Sequence, residues 1–266
     1  MKLEQIINIM EKIAPPILKE DYDNVGLMVG DKTSDIKKVL IALDCTLDVI
    51  EEAKEHTVDL IITHHPLIFR KPSTITTDTL MGKKIINLIK NNINLYSSHT
   101  NFDSVKEGLN DKIVELLGFS AKSILEPTKV KGFDESGIGR FVELEEVITL
   151  DELIDRVKTS LNISNLRYVP SGNDRIKKIA IINGSGQDFF SIAYNNGADC
   201  VITGDTTYHY ASDYKEMGLN ILDIGHFGSE WPVFMELSKK IIKDIKSVED
   251  VEILISKKSE DPYRFI

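Results

Sequence analysis

Two stretches of this chain repeat one another at a fixed distance. At an offset of 140 and without a gap, Ile36, Lys37, Lys38, Ile41, Asp48, Ala53, Asp59, Ile62 and Thr63 meet identical residues from Ile176 through Thr203. Buried α/β units share an apolar pattern, but that pattern alone does not repeat lysines and aspartates in register, so the match points to an internal duplication. Within each copy, short apolar runs alternate with amphipathic segments. The run at 39–43 is continuous, as in a strand buried on both faces, and those at 59–63 and 93–97, and again at 179–182, 199–203 and 219–224, read as further strands. Helical spacing occupies 48–56, 82–91 and 188–195. An opening helix over 3–13 sets Ile6, Ile7, Met10 and Ile13 on one face and stops at Pro15-Pro16. This alternation predicts an α/β fold of two related, interlocked lobes with mostly parallel sheets, divided as 1–125 and 126–266. The segment 119–147, with Gly132, Gly137 and Gly139, reads as the crossover between them. The tail reads as a helix from about residue 234 and an edge strand at 251–255.

Ligands in open α/β sheets gather outside the carboxyl ends of the strands, and four of the six histidines fall at such ends. His64 and His65 end one strand. His99 and Asp103 follow another with three residues between them, and His226 and Glu230 follow a third with the same spacing. Taken singly, each has a structural reading. Asp103 is placed as a helix N-cap ahead of SVKEGLNDKIVELLG, and Glu230 as a first-turn carboxylate. Taken together, imidazole and carboxylate suit Zn, Fe, Mn, Co or Ni and are too nitrogen-rich for a Ca or Mg cage. Adjacent side chains on a strand diverge, so His64 and His65 are better placed to serve two ions roughly 3.5–4 Å apart than to chelate one. Three histidines, one aspartate and one glutamate therefore fit a dinuclear centre of two divalent transition ions per chain, between the lobes, better than a closed structural site.

Weaker signals leave alternatives open. Gly184-Ser185-Gly186 after a strand is either a tight turn or a phosphate cradle; it lacks the lysine of a P-loop. Tyr208 and His209 follow the strand end at Asp205, where His209 is either structural or a proton carrier. Trp231-Pro232 reads as the start of the last helix, with proline in its first turn. A formal charge of −10 disfavours non-specific nucleic-acid binding. Cys45 and Cys200 lie in apolar surroundings outside any CxxC pair, as buried, reduced thiols do. The amino terminus lacks a signal peptide's apolar core, and no run approaches the roughly 20 apolar residues of a membrane span. A cytoplasmic protein is expected.

The blocks YDNVGLMVG, ITHHPLIF, SSHTNFD, ITGDTTYH and GHFGSEWP, in that order and spread over nearly the whole chain, resemble the Ngg-interacting-factor-three-like family. Its members are also known as GTP cyclohydrolase I type 2 homologues and as dinuclear-metal hexameric ring proteins. The resemblance implies metal ligation by His64, His65, Asp103, His226 and Glu230, with His99 behind the ligands or facing substrate. It implies a toroidal homohexamer and a metal-dependent hydrolase acting on GTP or another small molecule. Water would add to the guanine ring, formate would leave, and His99, His209 and Glu230 would be the catalytic groups. The same centre also suits a two-metal phosphoester hydrolase, or a ring that handles metal or serves as a scaffold without catalysis. Some family members carry a further domain between the lobes, for which 119–147 leaves no space.

Overall fold

The computed structural model describes residues 1–266, which form two compact units, one of 1–102 with 234–260 and the other of 103–233 with 261–266. The first unit contains α1 (Leu3–Ile13), β1 (Gly26–Val29), β2 (Lys38–Ala42), α2 (Leu47–Glu55), β3 (Leu60–Thr63), α3 (Leu80–Lys90) and β4 (Asn94–Ser97). The division falls inside the short α4 (Thr100–Ser104). The second unit continues with α5 (Leu109–Leu116), β5 (Ala121–Pro127), β6 (Gly137–Ile148), α6 (Leu150–Leu161), β7 (Arg167–Val169), β8 (Ile176–Ser185), α7 (Phe190–Asn195), β9 (Cys200–Gly204), α8 (Tyr208–Glu216) and β10 (Asn220–Asp223). The second division falls inside α9 (His226–Lys246), after which β11 (Glu252–Ile255) belongs to the first unit. β11 pairs in parallel with β2 and so brings the end of the chain back into the first unit. Glu52 fastens that return: its carboxylate accepts from Ser256 Oγ at 2.6 Å and Lys257 N at 2.9 Å.

The first sheet has the order β1-β4-β3-β2-β11, parallel except for β1. Leu40, Ala42, Ile61 and Leu95 from its strands pack with Val49, Ile50, Ala53 and Leu88 from α2 and α3. Side-chain caps start both helices, Thr46 accepting from Val49 N and Thr79 from Gly82 N. The second sheet has the order β5-β6-β8-β9-β10-β7, with β8, β9 and β10 parallel and the other three strands antiparallel to their neighbours.

The duplication is present in the hydrogen bonds. Asp59 Oδ2 accepts from the backbone N–H of Lys37 and Lys38 at 2.8 and 2.9 Å, and Asp199 Oδ2 accepts from Lys177 and Lys178 at 2.9 and 2.8 Å. Asn94 and Asn220 repeat a second device: each donates to the carbonyl of that aspartate, at 2.9 and 3.0 Å. Each then accepts a backbone N–H from the segment leading into its unit's β2 or β8, Asp31 at 3.0 Å and Ser171 at 2.9 Å. The order β1-β4-β3-β2 thus corresponds to β7-β10-β9-β8.

Three local expectations change. The segment 119–147 is not a bare crossover: β5 and β6 form an antiparallel pair beside β8. Gly137, at φ +149°, permits the pairing, since a Cβ there would collide with the Glu126 carbonyl. The last helix begins at His226 rather than near 234, and Pro232 lies in its second turn, where it forgoes its own bond to the Gly228 carbonyl. Strands β1 and β7 and helix α6 extend the pattern; α6 starts with a capping box, Thr149 accepting from Glu152 N and Glu152 from Thr149 N. Cys45 and Cys200 are buried and unbridged. Burial raises both thiols, Cys45 to about 12, so neither offers a thiolate. No helix is long and apolar enough to cross a membrane.

Candidate metal centre

In the first unit the pairing of Thr63 with Ser97 brings the ends of β3 and β4 level. His64 and His65 leave one strand as His99 leaves the other. Thr63 Oγ1 lies 2.8 Å from Ser97 Oγ and donates to the His65 carbonyl at 2.8 Å, which locks the exit of the chain. The rings of His64, His65 and His99 sit 5.1 to 5.6 Å apart by centroid, and their ligand atoms all lie within 4.8 Å of one another.

Each ring is oriented from behind. His64, fully buried and packed on Phe234, has Nδ1 2.9 Å from the Ser98 carbonyl, which can only accept, so the proton is on Nδ1. His65 Nδ1 faces Asp44 Oδ1 at 2.8 Å, and His99 Nδ1 faces Asp23 Oδ1 at 2.9 Å. All three rings are held at Nδ1, the arrangement that metal-ligating histidines adopt.

Burial acts to raise the Asp23 carboxyl. The hydrogen bond and charge of His99, joined by hydrogen bonds from the Thr100 hydroxyl and backbone N–H, outweigh it and hold the group down at about 2. A depressed folded-state value stabilises the fold above the ordinary carboxylate value of 3.8, and the contribution is lost as pH falls through about 2. Between pH 5 and pH 2, urea unfolding of the wild type should lose about 2 kcal/mol more than that of Asp23→Asn. Parallel stability profiles for the two proteins would contradict this coupling.

In the second unit, His226 opens α9 and Glu230 follows one turn later, with His226 Nε2 3.1 Å from Glu230 Oε2. His226 Nδ1 lies 2.7 Å from Asp205 Oδ2, so this ring is also gripped from behind. Gly184, at φ +61°, lies against the pair: a Cβ there would run into Glu230 Oε1 and stand 3.7 Å from His226 Cε1. Ser229 Oγ accepts from Gly184 N at 2.9 Å and donates to the His226 carbonyl at 2.8 Å. Thr203 Oγ1 donates to the Gly184 carbonyl at 3.1 Å and accepts from Gly186 N at 2.9 Å. Gly184 and Ser185 are thus the last residues of β8, with Ser185 paired to Gly204, and Gly186 follows the strand end. The N–H groups of both glycines are already engaged, which removes the phosphate-cradle reading.

Asp103 is buried, and Oδ1 accepts from Asn183 Nδ2 at 2.8 Å. Asn110 supports both residues, donating to the Asp103 carbonyl at 3.1 Å and accepting from Asn183 N at 3.2 Å. Asn183 Oδ1 is a buried acceptor with no hydrogen-bond partner. His209 is exposed on α8, edge-on to Tyr208 at 5.5 Å, and outside the donor clusters.

A family model described as Duf34/NIF3 (NGG1p interacting factor 3) matches residues 1–262. The chain belongs to this family. Its relatives include a Clostridium perfringens protein named GTP cyclohydrolase 1 type 2 homolog, 62 % identical over the full length of both chains. A Clostridium acetobutylicum protein of the same name is 54 % identical over 100 % of this chain and 99 % of its own. Among solved structures, a Bacillus cereus protein related to NIF3 superposes with a TM-score of 0.91 at 26 % identity, covering 100 % of this chain and 99 % of its own.

In this Duf34/NIF3 member the donors fit divalent transition ions. The four imidazoles have their proton-side nitrogens engaged, and a glycine stands where any larger residue would meet Glu230. Asp23, Asp44, Asp205 and Asn183, which orient the donors, had no signal in sequence spacing. Asp23 lies 76 residues from the histidine it grips. Two of them do follow strand ends: Asp44 comes after β2, and Asp205 directly after β9.

Proposed function

We propose that the chain is a metal-dependent hydrolase of the GTP cyclohydrolase 1 type 2 kind, using two divalent transition ions held by His64, His65, Asp103, His226 and Glu230. The observation that carries this reading is the uniform orientation of the histidines, each held at Nδ1 by a carbonyl or carboxylate. When bound, the ions would supply Lewis acidity and make water nucleophilic near neutral pH. The relatives' shared name supports the choice of reaction.

On this reading water adds at C8 of the guanine ring, the ring C–N bond breaks, and a second water cleaves the resulting formamide to release formate. His99 moves protons at Nε2 while Asp23 holds Nδ1, and the buried Glu230 takes a proton from the attacking water. His209, exposed on α8, is the second candidate for carrying a proton to solvent. Assembly as a homohexameric toroid and residence in the cytoplasm belong to the same reading and rest on the resemblance.

The test is formate release from GTP by protein loaded in turn with Mn, Fe, Co or Zn, run beside Glu230→Ala with metal content measured on both. Metal-dependent release by the wild type, absent in the variant together with part of its metal, is the expected result. A metal-loaded wild type that releases no formate rules out the cyclohydrolase. Turnover of phosphoesters by that protein would then indicate a two-metal phosphoesterase, and no turnover of either class a metal-handling or scaffold role.

A further inference from the structure

Two loops of the first unit carry aromatic side chains that the core does not use. Tyr22 is 66 % exposed and Phe69 41 % exposed. Their rings nevertheless meet edge-on, with centroids 6.2 Å apart and planes inclined by 64°. Phe69 is also edge-on to His99 at 6.1 Å, and His99 lies 5.2 Å from His64 and 5.6 Å from His65. The aromatic pair thus stands one ring-width from the histidine cluster.

The loops are braced rather than loose. Asn24 Nδ2 donates to the Ile68 carbonyl at 2.6 Å, and Asp23, between Tyr22 and Asn24, holds His99. Leaving two large rings in water forgoes the burial that would stabilise the fold, so rigid exposure beside a donor cluster points to a ligand. The inclined planes form a wedge in which a planar ring can stack on one face and meet the other with its edge, a match to the ring quadrupoles that an aliphatic group cannot make. Beyond Phe69, Arg70 and Lys71 are exposed and take part in no ion pair, in a chain of net charge −10. Two unneutralised cations beside an aromatic wedge favour a ring that carries an anionic tail.

We propose that Tyr22 and Phe69 are the ring-recognition wedge of the histidine cluster, taking a planar heteroaromatic ring whose anionic tail meets Arg70 and Lys71. The assignment rests on the hydrolase reading for what happens to the ring, but binding is measured separately from turnover. Calorimetric titration of the metal-loaded protein with GTP, ATP and FMN, and with inorganic tripolyphosphate as the ring-free control, reads it directly. Tyr22→Ala and Phe69→Leu should each weaken the best ring ligand about tenfold, as loss of one base-stacking contact does. Tyr22→Phe should bind as the wild type, and tripolyphosphate should be unaffected by all three. Arg70→Gln with Lys71→Gln should weaken both kinds of ligand. Thermal midpoints close to the wild type's would show that Tyr22→Ala and Phe69→Leu remain folded, as their exposure predicts.

Unchanged ring binding in Tyr22→Ala and Phe69→Leu overturns the proposal, and so does a wild type that binds none of the three ring ligands. Ring binding that depends on the wedge without formate release upholds the wedge and removes the cyclohydrolase. Formate release with unaltered KM in Phe69→Leu does the reverse.

Discussion

Gly184→Ala is expected to cost about 100-fold in metal affinity, and turnover with it, although residue 184 offers no ligand atom of its own. Two effects coincide there. The backbone sits at φ +61°, which costs an L-residue about 1 kcal/mol. The added Cβ also falls on Glu230 Oε1, and Glu230 has little room to withdraw: it is 2 % exposed, and Ser229 beside it is tied to Gly184 N and the His226 carbonyl. The carboxylate must move to clear the methyl group, which disturbs its 3.1 Å contact with His226 Nε2. Gly172→Ala separates the two effects, since Gly172 has φ +92° but nothing within 4 Å of an added methyl group. That control should lose about 1 kcal/mol of stability and keep its metal and turnover. Metal content and affinity of the two variants, compared by dialysis against a competing chelator, decide the matter. A Gly184→Ala protein that holds metal as tightly as the wild type would show that the glycine serves the backbone path at the end of β8 alone.

How far the sequence reached depends on which residues act locally. Asp59 and Asp199 were legible as a repeat because each captures two backbone N–H groups at the start of the neighbouring strand, a task that fixes residue type and spacing together. Asn94 and Asn220 do equivalent work but fall out of that register, because the stretch between β3 and β4 is longer than that between β9 and β10. Histidines directly after buried strands were likewise readable, since apolar runs mark the strand ends. The groups that aim them were not: Asp23 reaches His99, and Asn183 reaches Asp103, only through tertiary packing. The pair β5 and β6 was hidden by its glycines, which suggest a loop when read singly; Gly137 is in fact what allows the strands to approach. The early start of α9 was masked by Pro232, which ordinarily marks a first turn but here sits in the second.

Arg140, on β6, should contribute heavily to the stability of the second unit. Its side chain is 2 % exposed, and four of the five N–H groups of its guanidinium are engaged. Nε and Nη2 form a fork on the Asp111 carboxylate, Nη2 reaching Oδ2 at 2.9 Å, while Nη1 donates to the carbonyls of Gly137 and Gly139 at 2.8 and 2.9 Å. Arg140→Ala strands two buried carbonyls and a carboxylate at once, so a loss of about 3–5 kcal/mol is expected. Arg140→Lys keeps the charge but cannot reproduce the fork, and should recover only part of the loss. Asp111→Asn should cost less than Arg140→Ala, because asparagine keeps an oxygen that can accept from the guanidinium and the Gly137 and Gly139 carbonyls keep their donor. Trp231, the only tryptophan, lies in the second unit and 7 % exposed, so its fluorescence during urea unfolding reports on that unit. The order of stabilities should be wild type, Asp111→Asn, Arg140→Lys, Arg140→Ala. An Arg140→Ala protein within about 1 kcal/mol of the wild type would mean that β5 and β6 are held by strand pairing alone.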